Sequence, residues 1–335
     1  MGKNESDAIG TPYDDVFRTM ITDSDSLAIS LINLMFGLNI SKDAKLVRYQ
    51  NEVYLKENKK RITDSQIGMQ GSDVYYHMEC ESTARDENIL LRLYEYDAAI
   101  AHNHALIEDN VLKVTFPKTG ILYLRDSSST PDVLKMEIKA PDSTESLVLK
   151  VPTVKISKYS IDEIFEKELW FLLPFFIFNY EKRLKRSDES VENEILEKLV
   201  FIKNQLENSD ARGDIDTYSR ILIEQMTEKV TKALAIKHEK ITKGVDDIMG
   251  GKVLEYEAKT IRNKALEQGR NEGFNDGFND GFNDGFSDGF SDGRNEERQQ
   301  LETAVVGLKS GKSADDLIKA GIDSETVNLA LKCVG

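Results

Sequence analysis

A chain of 335 residues, 40% hydrophobic and 31% charged, has the composition of an ordinary globular protein with one substantial core and accessory segments. Its formal net charge of −15 excludes a uniformly basic surface that tracks phosphates, so any DNA contact must be local, and the same charge suits a protein-binding module. Only Cys80 and Cys333 occur, which gives neither a disulfide framework nor a CxxC zinc pattern; both are expected as reduced thiols.

The opening MGKNESDAIGTPYDD is polar and acidic, unlike a secretory signal or an Arg-rich transit peptide, and a cytoplasmic location is expected. Thr11-Pro12 followed by Asp14 orders a cap, a first-turn proline and an early carboxylate as a helix start does. Phe17, Met20 and Ile21, then Leu27 to Phe36, predict two consecutive helices joined around Asp23-Ser24 and ended by Gly37. Three β-rich runs follow, Leu46 to Leu55, Arg61 to Gln70 and Asp73 to Glu81, and read as a meander. Asn88 to about Ile107 has helix length without Gly or Pro, and Gly120 to Arg125 reads as the next strand. Val133 to Lys139 and Leu147 to Val151 add strands, and Ile161 to Leu184 is predicted helical, so the domain is mixed α/β. The longest apolar run, Leu169 to Phe178, is about half the roughly 20 residues of a membrane span and contains Pro174; it reads as a buried helix or its end, with no membrane partner.

The first domain is expected to cover 11–185 and an amphipathic helical region 186–268. Lys229, Lys232, Lys237, Lys240 and Lys243 could touch phosphate, although such runs usually form a solvated helix face. The segment 269–293 holds a tandem GFND/GFSD repeat with Phe at 274, 278, 282, 286 and 290. Four residues turn a helix by about 400°, so the Phe stripe drifts instead of holding one face. It reads as a flexible spacer or a weak self-association stripe. The segment 294–335 predicts two short helices separated by Gly311 and Gly321, with Ser313 as a cap.

The candidate chemistry sits on the second and third β-runs. A two-residue turn at Gly71-Ser72 pairs Gln70 with Asp73 and sets Asp64 directly opposite Glu79. Opposed residues share a face with Cβ atoms about 4.5 to 5.5 Å apart, and alternation adds Glu81, so three carboxylates converge. His77 falls on that face and is expected as a surface histidine. The other face carries Ile67, Met69, Val74, Tyr76, Met78 and Cys80, an apolar set that supports the register independently. Carboxylates facing each other call for exposure, a raised pKa or a bound cation, and a hard divalent ion such as Mg²⁺ takes oxygen ligands. The alternative is a pair of exposed acids on a solvated strand. The literal PD…ExK at Asp132 and Glu137 to Lys139 is rejected, because Asp132 and Glu137 would lie about 16 Å apart on opposite faces of one strand. His102 and His104, two apart on a helix, are given no role. Asp15 and Glu52 read as ordinary surface or first-turn acids beside the less favoured option of a further metal ligand.

The order IxD, YxMECES and ILLRLYEYDAAIA resembles the Rpn-type recombination-promoting nucleases, often labelled transposases, of the PD-(D/E)XK nuclease superfamily. TPYDDVFRTMITD resembles that family's opening helix, and YLR, TPD, Tyr159-Ser160 and LPFFIF its later landmarks, so the likeness covers roughly residues 11 to 185. The resemblance implies a restriction-endonuclease-like core, a mixed sheet flanked by helices, followed by a helical C-terminal extension. It also implies a Mg²⁺-dependent DNA endonuclease linked to recombination or mobile elements. Asp64 and Glu79 take the places of the metal ligands, Glu81 completes the catalytic set, and Arg92 and Tyr96 match the following helix. They line the site or, for Tyr96, pack in the core. Glu81 departs from the usual Lys and cannot supply its positive charge, so Arg92, Lys60 or a second metal would have to compensate. The alternative function is a catalytically degenerate nuclease fold that binds protein or oligomerises.

Overall fold

The computed structural model describes residues 11–49, 52–55, 59–62, 65–83, 88–139, 141, 144–186, 189–250 and 299–334, with 52–55, 59–62, 189, 333 and 334 as backbone. The GFND repeat and Asp64 lie outside the described residues. The chain divides into two compact units, Met1–Ile261 and Arg262–Gly335.

The first unit opens as its sequence predicts. Thr11 and Asp14 close a capping box at the start of α1 (Pro12–Asp23), with Pro12 in the first turn. Ser24, extended at φ −140°, ends α1, and its hydroxyl accepts the Leu27 N–H to start α2 (Asp25–Phe36). Gly37 at φ +63° ends α2, a conformation that disfavours residues with a Cβ.

A six-stranded mixed sheet follows, in the order β1-β4-β5-β8-β10-β9. Its strands are β1 (Leu46–Arg48), β4 (Gln66–Met69), β5 (Tyr75–Glu81), β8 (Lys118–Tyr123), β9 (Val133–Lys139) and β10 (Ser146–Lys155). The central β5, β8 and β10 run parallel, and β1, β4 and β9 pair antiparallel. The expected meander survives as β1-β4-β5. Its first two runs each divide, and their outer parts β2 (Glu52–Leu55) and β3 (Lys59–Ile62) form a separate two-stranded sheet.

Parallel neighbours need a long crossover, and α3 (Ile89–Asn103) supplies it between β5 and β8. The helix stops four residues short of the expected end. Leu106–Glu108 (β6) and Val111–Lys113 (β7) instead form a hairpin, with Asp109 and Asn110 at φ +50° and +63°. Two consecutive left-handed residues make the tight turn that matches strand twist, and Asp and Asn tolerate that region best after Gly.

One face of the sheet carries the main core. Ile67, Tyr76, Met78, Cys80, Leu122 and Val154 pack there against α1 and α2. The apolar run joins them as an unusually long 3-10 segment, Trp170–Tyr180, set between short helices α4 (Ile161–Glu166) and α5 (Glu181–Leu184), where continuous α-helix was expected. Trp170 to Phe178 are all buried, which suits a segment apolar on every side. Gly120 on β8 lets α2 approach: a Cβ there would sit 2.3 Å from Met35 Sδ.

The core does not break near residue 185. Helices α6 (Glu189–Arg212), α7 (Thr217–Leu234) and α8 (Glu239–Met249) carry the expected amphipathic pattern and contribute Val191, Leu199, Ile223 and Val245 to the same cluster. No helix among the described residues is long and apolar enough to cross a membrane.

Among the described residues of the second unit three helices stand where two were expected: α9 (299–309), α10 (Ala314–Lys319) and α11 (Ser324–Val334). Gly311 and Gly321 take positive φ between them, and Ser313 caps α10 in a capping box with Asp316. Ala304, Leu317, Ile322, Val327 and Ala330 form their small core.

Candidate functional site

Alternation along β5 sends His77, Glu79 and Glu81 to the face opposite the main core. The parallel register brings Thr119 of β8 beside His77, with Ile121 and Tyr123 beside the two glutamates. Ile89 and Leu93 of α3 pack on Ile121, Tyr123 and Val151, which seats the helix over this face. Arg92, Tyr96 and Asp97 then reach the strand residues, since positions four apart share one side of a helix.

The result is a buried polar layer in which only Arg92 is partly exposed. His77 is 0% exposed; its Nδ1 lies 2.7 Å from Asp97 Oδ1 and its Nε2 3.0 Å from Glu79 Oε1. Thr119 Oγ1 donates to the same Asp97 oxygen at 2.7 Å. Burial alone would lower the His77 pKa, but its hydrogen bonds to Asp97 and Glu79 and their charges outweigh that and raise it to about 9. The ring is therefore charged at neutral pH and donates from both nitrogens. Arg92 Nη2 donates to Glu81 Oε2 at 3.0 Å and lies 3.9 Å from Glu79 Oε2. Glu81 Oε1 accepts from the Thr83 N–H at 2.9 Å and its hydroxyl at 2.5 Å. Three carboxylates thus meet two cations among these five side chains.

Both glutamates sit together as expected, and Arg92 faces both. Tyr96 is buried and meets the His77 ring edge-on at 5.9 Å, so it packs in this layer. The register of the β4–β5 hairpin also holds: Gln66 pairs with His77 and Ile67 with Tyr76, as the expected Gln70–Asp73 pairing requires. The turn differs. Ser72 N–H donates to Met69 C=O at 3.1 Å with Gly71 at φ +78°, so the tight turn is centred on Gln70-Gly71. Asp64 lies outside the described residues, as do the side chains of Lys60 and Glu52.

One expectation needs correction. His77 is no surface histidine: α3 covers the face that the strand pattern alone left open. The third carboxylate at the described site is Asp97, which the sequence reading missed. An acid in mid-helix between apolar Leu93 and Ile100 was its available signal. His104, given no role, stacks on Tyr75 at 3.8 Å, and its Nε2 lies 3.0 Å from Gln66 Nε2.

The rejected PD…ExK pair has other partners. Asp132 bonds Lys155 at 2.9 Å and Lys158 at 2.6 Å, whereas Glu137 accepts from Ser146 Oγ at 2.8 Å. The lysine-rich helices behave as a solvated face: Lys229 pairs with Asp15, Lys232 with Glu228 and Asp246, and Lys243 with Glu239. At the end of β5, Arg125 grips Glu181 through two bonds of 2.7 and 2.8 Å, donates to the Ser82 carbonyl and lies over the Phe178 ring. A cleft of about 910 Å³ opens elsewhere, between α2 and the α6–α7 connection, and none of the layer's residues line it.

No protein-family model matches the chain, and searches of curated proteins and of solved structures give no significant match.

Proposed function

We propose that the first unit is a PD-(D/E)XK nuclease of the Rpn type, cutting DNA phosphodiesters with a divalent cation in recombination or mobile-element biology. The observation that carries this reading is Arg92 of the crossover helix meeting Glu79 and Glu81 of β5, at 3.9 and 3.0 Å. These are the strand acids and helix arginine on which the sequence resemblance rests. The order of helices, antiparallel hairpin, crossover helix and parallel strand also agrees with that class.

Carboxylate oxygens are the donors a hard cation takes, and one or two carboxylates suffice for Mg²⁺. Among the described residues no three His, Cys, Asp or Glu side chains are grouped to hold a metal, so the site rests on Glu79 together with Asp64. Bound there, the ion would activate water and stabilise negative charge on the phosphoryl oxygens. The chain's own residues prepare that position. Charged His77 orients Glu79 through Oε1, and Asp97 and Thr119 fix the His77 ring from behind. Arg92 brings to Glu81 the positive charge that the usual Lys would carry.

A second reading has its own observation. His77 and Arg92 already neutralise the two glutamates, as they would in a degenerate fold kept for protein binding. Incubation with supercoiled plasmid and Mg²⁺, beside EDTA and an Asp64→Ala variant, separates the two. Nicking lost in both controls is the expected result. No metal-dependent cutting, or equal cutting by the variant, selects the binding module.

A further inference from the structure

β9 ends the six-stranded sheet, so one side of its backbone along Val133–Lys139 has no partner strand among the described residues. Two facts show which groups face that side. Thr153 N–H donates to Asp132 C=O at 2.9 Å, and Pro152, which has no N–H, stands opposite Val133. Bonded and non-bonded pairs alternate along an antiparallel ladder. Leu134, Met136 and Ile138 therefore turn their N–H and C=O toward β10, and Val133, Lys135, Glu137 and Lys139 turn theirs outward. A seven-residue edge with exposed apolar neighbours such as Val133, Leu147 and Val148 is a template for another strand.

The β9 sequence, Val-Leu-Lys-Met-Glu-Ile-Lys, is complementary to itself when run antiparallel about Met136. Lys135 then opposes Glu137 of a second copy, and Glu137 opposes the copy's Lys135. Leu134 opposes Ile138 on the other face. Lys135 and Glu137 are both outward-turned, so the charge match and the backbone hydrogen bonds fall in one register. Neighbouring registers are penalised: a two-fold axis at Lys135 sets Lys against Lys, and one at Glu137 sets Glu against Glu and Lys135 against Lys139. Within one chain Ser146 and Lys139 contact Glu137 through Oε1, at 2.8 and 3.3 Å, which leaves Oε2 for a second copy.

We propose that the chain forms a two-fold homodimer in which β9 pairs edge to edge with β9 of a second copy, centred on Met136, so that one sheet runs through both copies. Sedimentation equilibrium of the 335-residue chain tests this, with a species of twice 37.9 kDa as the expected result. Glu137→Lys or Lys135→Glu places like charges in both symmetry-related pairs and weakens the dimer about tenfold or more. The double variant Lys135→Glu, Glu137→Lys restores opposite charges in both pairs and recovers wild-type association. A monomeric wild type, a dimer indifferent to either single reversal, or a double variant as weak as the singles overturns the proposal.

Discussion

On one side of β5, Tyr76, Met78 and Cys80 are 2%, 0% and 6% exposed among apolar neighbours; on the other, His77, Glu79 and Glu81 are 0%, 5% and 6% exposed among charged ones. Alternate residues of one strand are thus equally dry under opposite rules. The apolar face is held by many small contacts, each of which can be lost singly. The polar face depends on all its members, because a buried charge without its partner costs far more than the pair contributes. Well-packed apolar residues would hold α3 at least as firmly. Stability alone therefore gives little reason for three acids and two cations here, whereas the site proposed above would give one.

Removing one member of each face sharpens the contrast. His77→Ala leaves Glu79 and Asp97 facing each other in a dry layer and should cost about 3–5 kcal/mol in urea unfolding. A loss below about 1 kcal/mol would mean the layer is wetter than its burial shows. The same residue sets a pH window. Its folded pKa is raised, so its contribution is complete below the ordinary value of 6.5 and fades as pH rises through about 9. The stability difference between wild type and His77→Ala should shrink across that window; a difference constant with pH would show that His77 is buried uncharged. Met78→Ala should cost about 2–5 kcal/mol, independent of pH, because it removes contacts and opens a cavity without touching charge. The smallest effect is expected for Thr119→Val, which keeps shape but withdraws one donor from Asp97, about 1 kcal/mol by the same unfolding measurement. A loss as large as that of His77→Ala would give the hydroxyl a larger part in the layer than one hydrogen bond.

Local rules made much of this fold legible. The break at Ser24, the stop at Gly37, the Ser313 cap and the apolar alternation of β5 all follow from side chains within a few residues of the feature they set. The hairpin register was readable because the apolar set Ile67, Tyr76 and Met78 permits only one parity. The turn was not, since Gly71 serves a turn centred on either of two adjacent residue pairs. The Asp109-Asn110 hairpin was less legible, because the apolar run of the helix continues through Leu106 and Ile107 and the turn contains no Gly. Of the site, Glu79, Glu81 and Arg92 were legible, from alternation and from the family likeness. His77's burial and Asp97's part were not. They meet across 20 residues, and only the crossover that lays α3 on β5 brings them together.

Cys80 lies between Glu79 and Glu81 in sequence but points into the apolar core, buried and outside any disulfide among the described residues. A thiol so placed is a clock for the strand. In a Cys333→Ser background, a thiol-reactive reagent can label Cys80 only when β5 comes away from α1 and α2. The labelling rate in native buffer therefore reports how often the central sheet opens, and whether added Mg²⁺ or DNA holds it shut.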